Sequence, residues 1–593
     1  MGAKAEANKS GNNSGNKNGN NSSNNKSRSK KKSRPDIETN ASGGRREAGV
    51  SLDSALGVDA QAFVDTWGQI FSTSLQQPNA ALNANRDLVA ELFSILTGNS
   101  ELSPAADDRR FADAAWFENP LFKRLGQGYL AWARSLDNWL DASGLEGMQY
   151  ERARFVLDAA KDILAPMNTL LGNPEALRQA RETRGQSVMQ GIRNLLDDLR
   201  HNHGYPAAAD RHAFKVGKDV AATPGAVVFR NELFELIQYQ PATDTVVDAP
   251  LLYVFSQVNR FYLGDLTPDR SMFKKLLNAG IPVFAVSWRN PQVEHRDWNL
   301  DTYAEGVIHA ISVMRDVTGA DKVNLMGLCA GGLTAAAAAG ALQARGDDWV
   351  NTLSLFVNVL DNRPEDSDFG LFVSERSVQA QKQMTRVQGL FNEKNVFEMF
   401  AMLRWEENVM GFLRSNYLLG EEPLKHPLLF WSIDYTRLPA GLHSAFLDLS
   451  LDNKLAKRDM RVLGQRVDLS KIDYPVYIMA GSTDHITPWK ACYRSTQLFD
   501  TDLLFVLTNQ NHTQTISSRD DNKHLKHWIG SRYPKDPEKW LDQVEEHDGS
   551  WIPHWIDWLR EKSPAEEIAA PTEFGGKNYP EIDPAPGRYV LEK

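Results

Sequence analysis

Apolar residues recur along this chain at two different periods, and the period changes near residue 205. Before that point the spacing is helical. Phe63, Trp67, Ile70, Phe71 and Leu75 fall at i, i+4, i+7, i+8 and i+12, one face of an α-helix. Asn173-Pro174-Glu175 reads as an N-cap, a first helical position and an acidic first turn. The helix that follows carries Val188, Ile192, Leu195, Leu196 and Leu199 on one side. Both stripes are read as core, because an apolar stripe at this period normally faces a packed neighbour. Residues 51–205 are therefore expected to form a helical N-terminal domain.

After residue 205, short apolar runs alternate with longer helical stretches. The runs are Val227–Phe229, Leu251–Phe255, Val283–Trp288, Val323–Met326, Leu353–Leu360, Val476–Ala480 and Leu503–Leu507. Alternation of this kind predicts an α/β fold, a mainly parallel sheet with helices on both faces. Between Leu360 and Val476 the alternation breaks down over a stretch rich in aromatics and too long for a structureless loop. It is expected to be an inserted, mainly helical cap over about 362–470, within a catalytic domain spanning 206–593.

Composition adds a boundary. Hydrophobic residues make up 42% and charged ones 24% of 593 residues, enough for a sizeable core and more than one domain. Residues 1–50 differ: they are rich in Asn, Ser, Gly and Lys, with a net charge of +7 against −17 for the remainder. Such a tail buries too little apolar surface to offset the entropy of ordering and is expected to be disordered. Its basic stretch Ser27–Arg34 has the chemistry to touch polyanions. A solubilising extension is the preferred reading, and no nucleic-acid partner is expected.

The chain shows no run of the ~20 apolar residues that a membrane span needs. The first fifty residues lack the hydrophobic segment of a secretory signal, and Glu6 stands where a myristoylation motif takes Ser or Thr. Only Cys329 and Cys492 are cysteines, which excludes a disulfide framework and suits a reducing cytoplasm. His201, His203 and His212 cluster without acidic or cysteine company, so no metal site is expected.

The chemistry is concentrated where the run Val323–Met326 enters Gly327-Leu328-Cys329-Ala330-Gly331-Gly332 and then an alanine-rich helical stretch. This is the strand–turn–helix form of a nucleophile elbow, with cysteine as the nucleophile. A helix N-terminus behind Cys329 favours its thiolate. The amide of Ala330 supplies one oxyanion donor. The run Val476–Ala480 ends in Gly481-Ser482-Thr483-Asp484-His485, and the last run is followed by Asn511-His512. Nucleophile, acid after a late strand and histidine after the last strand is the chain order of α/β-hydrolases. Cys329, Asp484 and His512 are the predicted catalytic residues. His485 is a rival base, and Cys492 is read as packing. The second oxyanion donor belongs after an early strand, here at Val258 or Asn259.

A cysteine nucleophile bears on the reaction. It forms a thioester, which exchanges with a coenzyme A thioester at little energetic cost and passes its acyl group downhill to an alcohol. That suits a transferase, although hydrolases of this fold also use cysteine.

The same residues carry a family resemblance. Val258-Asn259-Arg260-Phe261-Tyr262 with Asp265-Leu266, and Val286-Ser287-Trp288-Arg289-Asn290-Pro291, resemble the polyhydroxyalkanoate synthases. So do Asn324-Leu325-Met326-Gly327 with Cys329-Ala330-Gly331-Gly332, and Asp484-His485-Ile486-Thr487-Pro488-Trp489. The similarity covers most of 100–593, from before Thr223-Pro224-Gly225 through to Pro586-Gly587-Arg588-Tyr589. It implies an α/β-hydrolase-fold enzyme that joins (R)-3-hydroxyacyl units from coenzyme A onto a polyester, with no cofactor. By that resemblance Cys329 holds the acyl chain and His512 activates its thiol. Asp484 either orients His512 or helps deprotonate the incoming 3-hydroxyl. The resemblance further implies a homodimer at the surface of cytoplasmic polyester granules, with granule-associated proteins as partners. The wording Leu325–Thr334 leans toward the medium-chain group. One departure is Gln510-Asn511, where the family usually has Ser-Gly, at positions expected to bear on the acyl pocket. Two other readings are a cysteine-dependent hydrolase or depolymerase and a non-catalytic granule-coating protein.

Overall fold

The runs of the second half become neighbours in one sheet. In the computed structural model, which describes residues 66–70, 72, 73, 76–519 and 521–593, eleven strands pair edge to edge. In chain order they are β1 (Gly225–Arg230), β2 (Phe234–Tyr239), β3 (Leu251–Val254), β4 (Val283–Trp288), β5 (Val323–Leu328) and β6 (Val350–Phe356), then β7 (Val476–Gly481), β8 (Leu503–Thr508), β9 (Lys526–Gly530), β10 (Glu545–Asp548) and β11 (Asp583–Pro584). Their spatial order is β10-β9-β8-β7-β6-β5-β3-β4-β2-β1-β11. The block from β8 to β4 is parallel. The flanks on both sides are antiparallel.

Both faces of the parallel block are covered, which is why its strands read as continuous apolar runs. Leu252 and Val254 of β3 pack with Phe284, Val286 and Leu325 on one face. Leu251 and Tyr253 pack with Ala285, Met326, Trp551 and Trp555 on the other. This is the α/β arrangement expected from the alternation of runs and helices, a mainly parallel sheet covered on both faces.

Two details differ from the sequence reading. Strand β2 is entirely buried although it contains Glu235 and Gln238, whose polarity hides it. Glu235 is satisfied by the Arg230 guanidinium at 2.7 Å and the Tyr589 amide at 2.9 Å. The run Leu353–Leu360 is not one strand. β6 starts at Val350 and stops at Phe356, because Val357 turns to φ +43° and donates its amide to Met479 O at 2.8 Å.

The N-terminal part is helical: α1 (Pro78–Thr97), α2 (Pro120–Ala142), α3 (Gly147–Ile163), α4 (Pro174–Glu182) and α5 (Gln186–His201). Asn173 caps α4 as its sequence suggests, accepting the Ala176 amide at 3.0 Å. Phe63, Phe71, Leu75 and the basic tail 1–50 lie outside the described residues.

The stripe on α5 is not core. Ile192, Leu196 and Leu199 are 46%, 47% and 58% exposed, and Leu195 is exposed too. The buried face is Ser187, Gly191 and Asp198. Gly191 lies so close to the carbonyl of Tyr417 that a Cβ would collide with it. Asn194 donates to Asn416 O at 2.9 Å and Glu421 O at 2.8 Å, and the Tyr417 hydroxyl donates to Asp198 at 3.0 Å. Close backbone approach and polar contacts select this face; hydropathy does not.

After α6 (Leu300–Thr318) and α7 (Ala330–Arg345), the segment between β6 and β7 forms the cap. It contains α8 (Glu375–Gln388), α9 (Glu393–Leu403) and α10 (Ala440–Asp452), with π-helical turns at Glu406–Met410 and Arg414–Leu418. Among the described residues, no helix is long and apolar enough to cross a membrane.

Candidate active site

Strand β5 delivers Cys329 to a turn that only small neighbours allow. Cys329 is the N-cap of α7 with φ +54° and ψ −128°, a region that costs a side-chain-bearing residue about 1–3 kcal/mol. A Cβ on Gly327 would sit 2.8 Å from Ala335 Cβ, and one on Gly331 would sit 2.5 Å from the backbone of Phe255. The strained residue is pinned on both sides. Its amide donates to Phe356 O at 3.0 Å, and its carbonyl accepts the Asn358 side-chain amide at 2.7 Å and the Gly332 amide at 2.9 Å.

Asp484 stands in the turn after β7, buried, with every carboxylate lone pair in use. Oδ1 accepts the amides of Ile486 at 2.8 Å and Thr487 at 2.9 Å. Oδ2 accepts the Thr487 hydroxyl at 2.7 Å and faces His512 Nδ1 at 2.7 Å. Burial alone would raise this carboxyl, but the His512 charge and these bonds hold it below the ordinary value.

His512 follows β8. With Nδ1 against Asp484, its other ring nitrogen is left for Cys329, whose charge acts on the ring. Burial works against charging the ring, yet the Asp484 carboxylate and negative charge on Cys329 outweigh it. Together they push the imidazole up to about 10. A thiol, an imidazole and a carboxylate are thus brought together at the carboxyl edge of the sheet.

His485, the rival base, points elsewhere in its electrostatics. Burial first, then the positive charges of Arg404 and His512, lower it to about 4, so it stays neutral at physiological pH. Cys492 is fully buried and donates its thiol to Thr487 O at 3.3 Å. Burial, with the charges of Asp484 and Cys329, pushes that thiol well above its usual value.

The oxyanion candidates divide. Ala330 heads α7, among the first amides that a helix leaves without an internal partner. Ala330 and Val258 line one cavity with Cys329. The Val258 amide donates to Ser256 Oγ at 3.2 Å. Asn259 instead borders a small cleft with Trp288 and Tyr303, and bridges Tyr435 of the cap.

That shared cavity, about 340 Å³, is roofed by Phe391, Phe400, Leu403 and Phe446 of the cap. Its surface is mostly apolar, with polar side chains that include Asn358, Asp366, Asp368, Gln381, His443 and Thr487. Gln510 and Asn511 do not line it. The Gln510 side chain holds Gln514 O at 2.9 Å and the Ser518 hydroxyl instead. Sequence reasoning passed over Thr487 and Asn358. Thr487 had a signal, its place three residues after an aspartate at a turn; Asn358 had none. Among the described residues, no group of His, Cys, Asp and Glu is placed to hold a metal. The arrangement can form and discharge a thioester on Cys329.

The chain is similar to known proteins along most of its length. The family described as "Poly-beta-hydroxybutyrate polymerase (PhaC) N-terminus" matches residues 107–276, and the alpha/beta hydrolase fold family matches 262–516. Poly(3-hydroxyalkanoate) polymerase 2 of Ectopseudomonas oleovorans is 39% identical over 544 residues, covering 91% of this chain and 96% of that protein. Polymerase 1 of the same organism is 37% identical, covering 92% and 97%. The poly(3-hydroxyalkanoate) polymerase subunit PhaC of Cupriavidus necator is 37% identical, covering 86% and 87%.

Proposed function

The chain belongs to the poly(3-hydroxyalkanoate) polymerase family, and we propose that it builds polyester by acyl transfer through Cys329. It is an acyltransferase whose substrate is a hydroxyacyl thioester of coenzyme A; no cofactor is needed for the steps that follow. His512 takes the thiol proton, and Cys329 Sγ attacks the carbonyl carbon of an (R)-3-hydroxyacyl-CoA. The amides of Ala330 and Val258 receive the oxyanion, the second once the Ser256 hydroxyl turns aside. The C–S bond to coenzyme A breaks, and its thiolate leaves with the proton held on His512. The 3-hydroxyl of a further unit then attacks the Cys329 thioester. A C–O bond forms, the C–S bond breaks, and the hydroxyl proton passes to His512. The lengthened chain, still a coenzyme A thioester, reloads onto Cys329.

The observation that carries this reading is the short contact between His512 Nδ1 and Asp484, 2.7 Å, which leaves the other ring nitrogen for Cys329, whose charge acts on the ring. Saturation of the Asp484 oxygens by Ile486, Thr487 and His512, and a pKa below the ordinary value, support an orienting role for it over proton abstraction from the substrate. The reading extends to a cytoplasmic homodimer at the polyester granule surface, with medium-chain monomers. The wording around Cys329 and the apolar cavity support the chain length. The test is to incubate purified protein with short- and medium-chain (R)-3-hydroxyacyl-CoA and follow coenzyme A release and chloroform-soluble polymer. Polymer is expected. Free hydroxy acid without polymer would instead identify a cysteine hydrolase.

A further inference from the structure

The loop after β3 carries the Val258 amide and, two residues on, a buried cation. Arg260 is only 3% exposed. Its guanidinium donates to Tyr589 O at 3.1 Å and to Glu592 O, and its Nε lies 3.6 Å from Asp434 in the cap. Asp434 also receives the Tyr262 hydroxyl at 3.0 Å and Lys593 Nζ at 2.8 Å. The loop's backbone is bound to the same cap segment. Thr436 donates its amide to Val258 O at 3.2 Å and its hydroxyl to Gln257 O at 2.7 Å, and Trp431 Nε1 donates to Arg260 O at 2.8 Å. Three parts of the chain far apart in sequence therefore meet on one guanidinium: the oxyanion loop, the base of the cap, and residues 589–593.

A buried guanidinium is costly to place, and an apolar side chain would fill the space at less expense. What the planar fork adds is geometry: it holds the carbonyls of Tyr589 and Glu592 while its charge faces the Asp434 carboxylate of the cap. We propose that Arg260 is the positioning residue of the oxyanion hole. It sets the Val258 amide at the height of the acyl carbonyl on Cys329, and it makes that height depend on the cap and on residues 589–593 being seated. The proposal rests on the acyl-transfer reading above.

The test separates two reactions of one sulfur. Alkylation of Cys329 by iodoacetamide uses the thiol and His512 but develops no oxyanion. Acylation, read as the first-turnover burst of coenzyme A from (R)-3-hydroxyacyl-CoA, needs both. Arg260→Met should slow acylation about tenfold to a hundredfold, with KM little changed, because it displaces an oxyanion donor whose complete loss costs about 10²–10³. Alkylation should stay within about twofold. Arg260→Lys should recover most of the burst rate. Deleting residues 592–593 should slow the same step and add little to Arg260→Met, as expected for coupled groups. If Arg260→Met does not fold, the deletion and Asp434→Asn carry the same comparison. Acylation at the wild-type rate, or acylation and alkylation falling together, overturns the proposal. A wild-type protein that alkylates but releases no coenzyme A would refute the acyl-transfer reading instead.

Discussion

Helices α7 and α5 each run sixteen residues, and they are held by opposite means. α7 is buried from Gly331 to Leu342 apart from Leu333, so its alanines carry no amphipathic stripe at all. α5 has a strong stripe and turns it to the outside. Yet both are seated by the same device. A glycine faces a backbone carbonyl, Gly331 against Phe255 and Gly191 against Tyr417, at a distance that admits no Cβ. The difference teaches that close backbone approach decides which face is buried, and hydropathy follows only where the partner is apolar.

The largest effect should come from closing the approach that lies beside the nucleophile. Gly331→Ala puts a methyl 2.5 Å from Phe255 in rigid backbone beside the nucleophile. It should cost about 3 kcal/mol, as severe overpacking does, and abolish coenzyme A release; urea unfolding and the burst assay measure the two. A fully active, equally stable variant would show that the elbow tolerates a side chain.

Next is the charge that the elbow exploits and α5 lacks. Asp484→Asn should cost a hundredfold or more in acylation, and it should move the alkaline limb of the pH profile downward. His512 is raised to about 10 in the intact pair, with the Asp484 charge its foremost raising influence. Without it, burial weighs more heavily against the charged ring and its pKa falls. For stability the sign is the same. The imidazolium's contribution is complete below about 6.5 and is lost as pH rises through about 10. An unmoved alkaline limb would mean another group sets it.

Gly191→Ala should be milder. It gains helix propensity of about 1 kcal/mol and loses its seat against Tyr417. Faster amide exchange is expected in residues 186–201 and 414–418, with β5 unchanged and activity retained. The smallest effect belongs to Ile192→Gln with Leu196→Gln, on the exposed stripe. Unfolding free energy should stay within about 0.5 kcal/mol, because these side chains are already in water. A loss of several kcal/mol would return the stripe to the core.

The same contrast explains what could be read from the sequence. The elbow was legible because glycines and cysteine stand together at a strand–helix junction, and Asp484 and His512 because each follows a strand in the order the fold requires. The apolar runs located the parallel strands. β2 escaped because Glu235 and Gln238 are buried by partners far along the chain, β10 because it is a charged edge strand, and β9 because it is short and mixes Lys526 and His527 with its apolar residues. The polar seat of α5, and the grip of Asn358 on the Cys329 carbonyl, depend on residues from other segments, which no local pattern announces.

The central claim is that Cys329 carries the growing chain. Wild-type protein incubated with (R)-3-hydroxyacyl-CoA should be quenched at intervals, digested and weighed at the peptide containing Cys329. The predicted result is a hydroxylamine-sensitive adduct on Cys329 that lengthens by whole monomer units with time, and neither adduct nor polymer in Cys329→Ala. Polymer made by Cys329→Ala, or a lengthening chain on any other residue, would contradict the account.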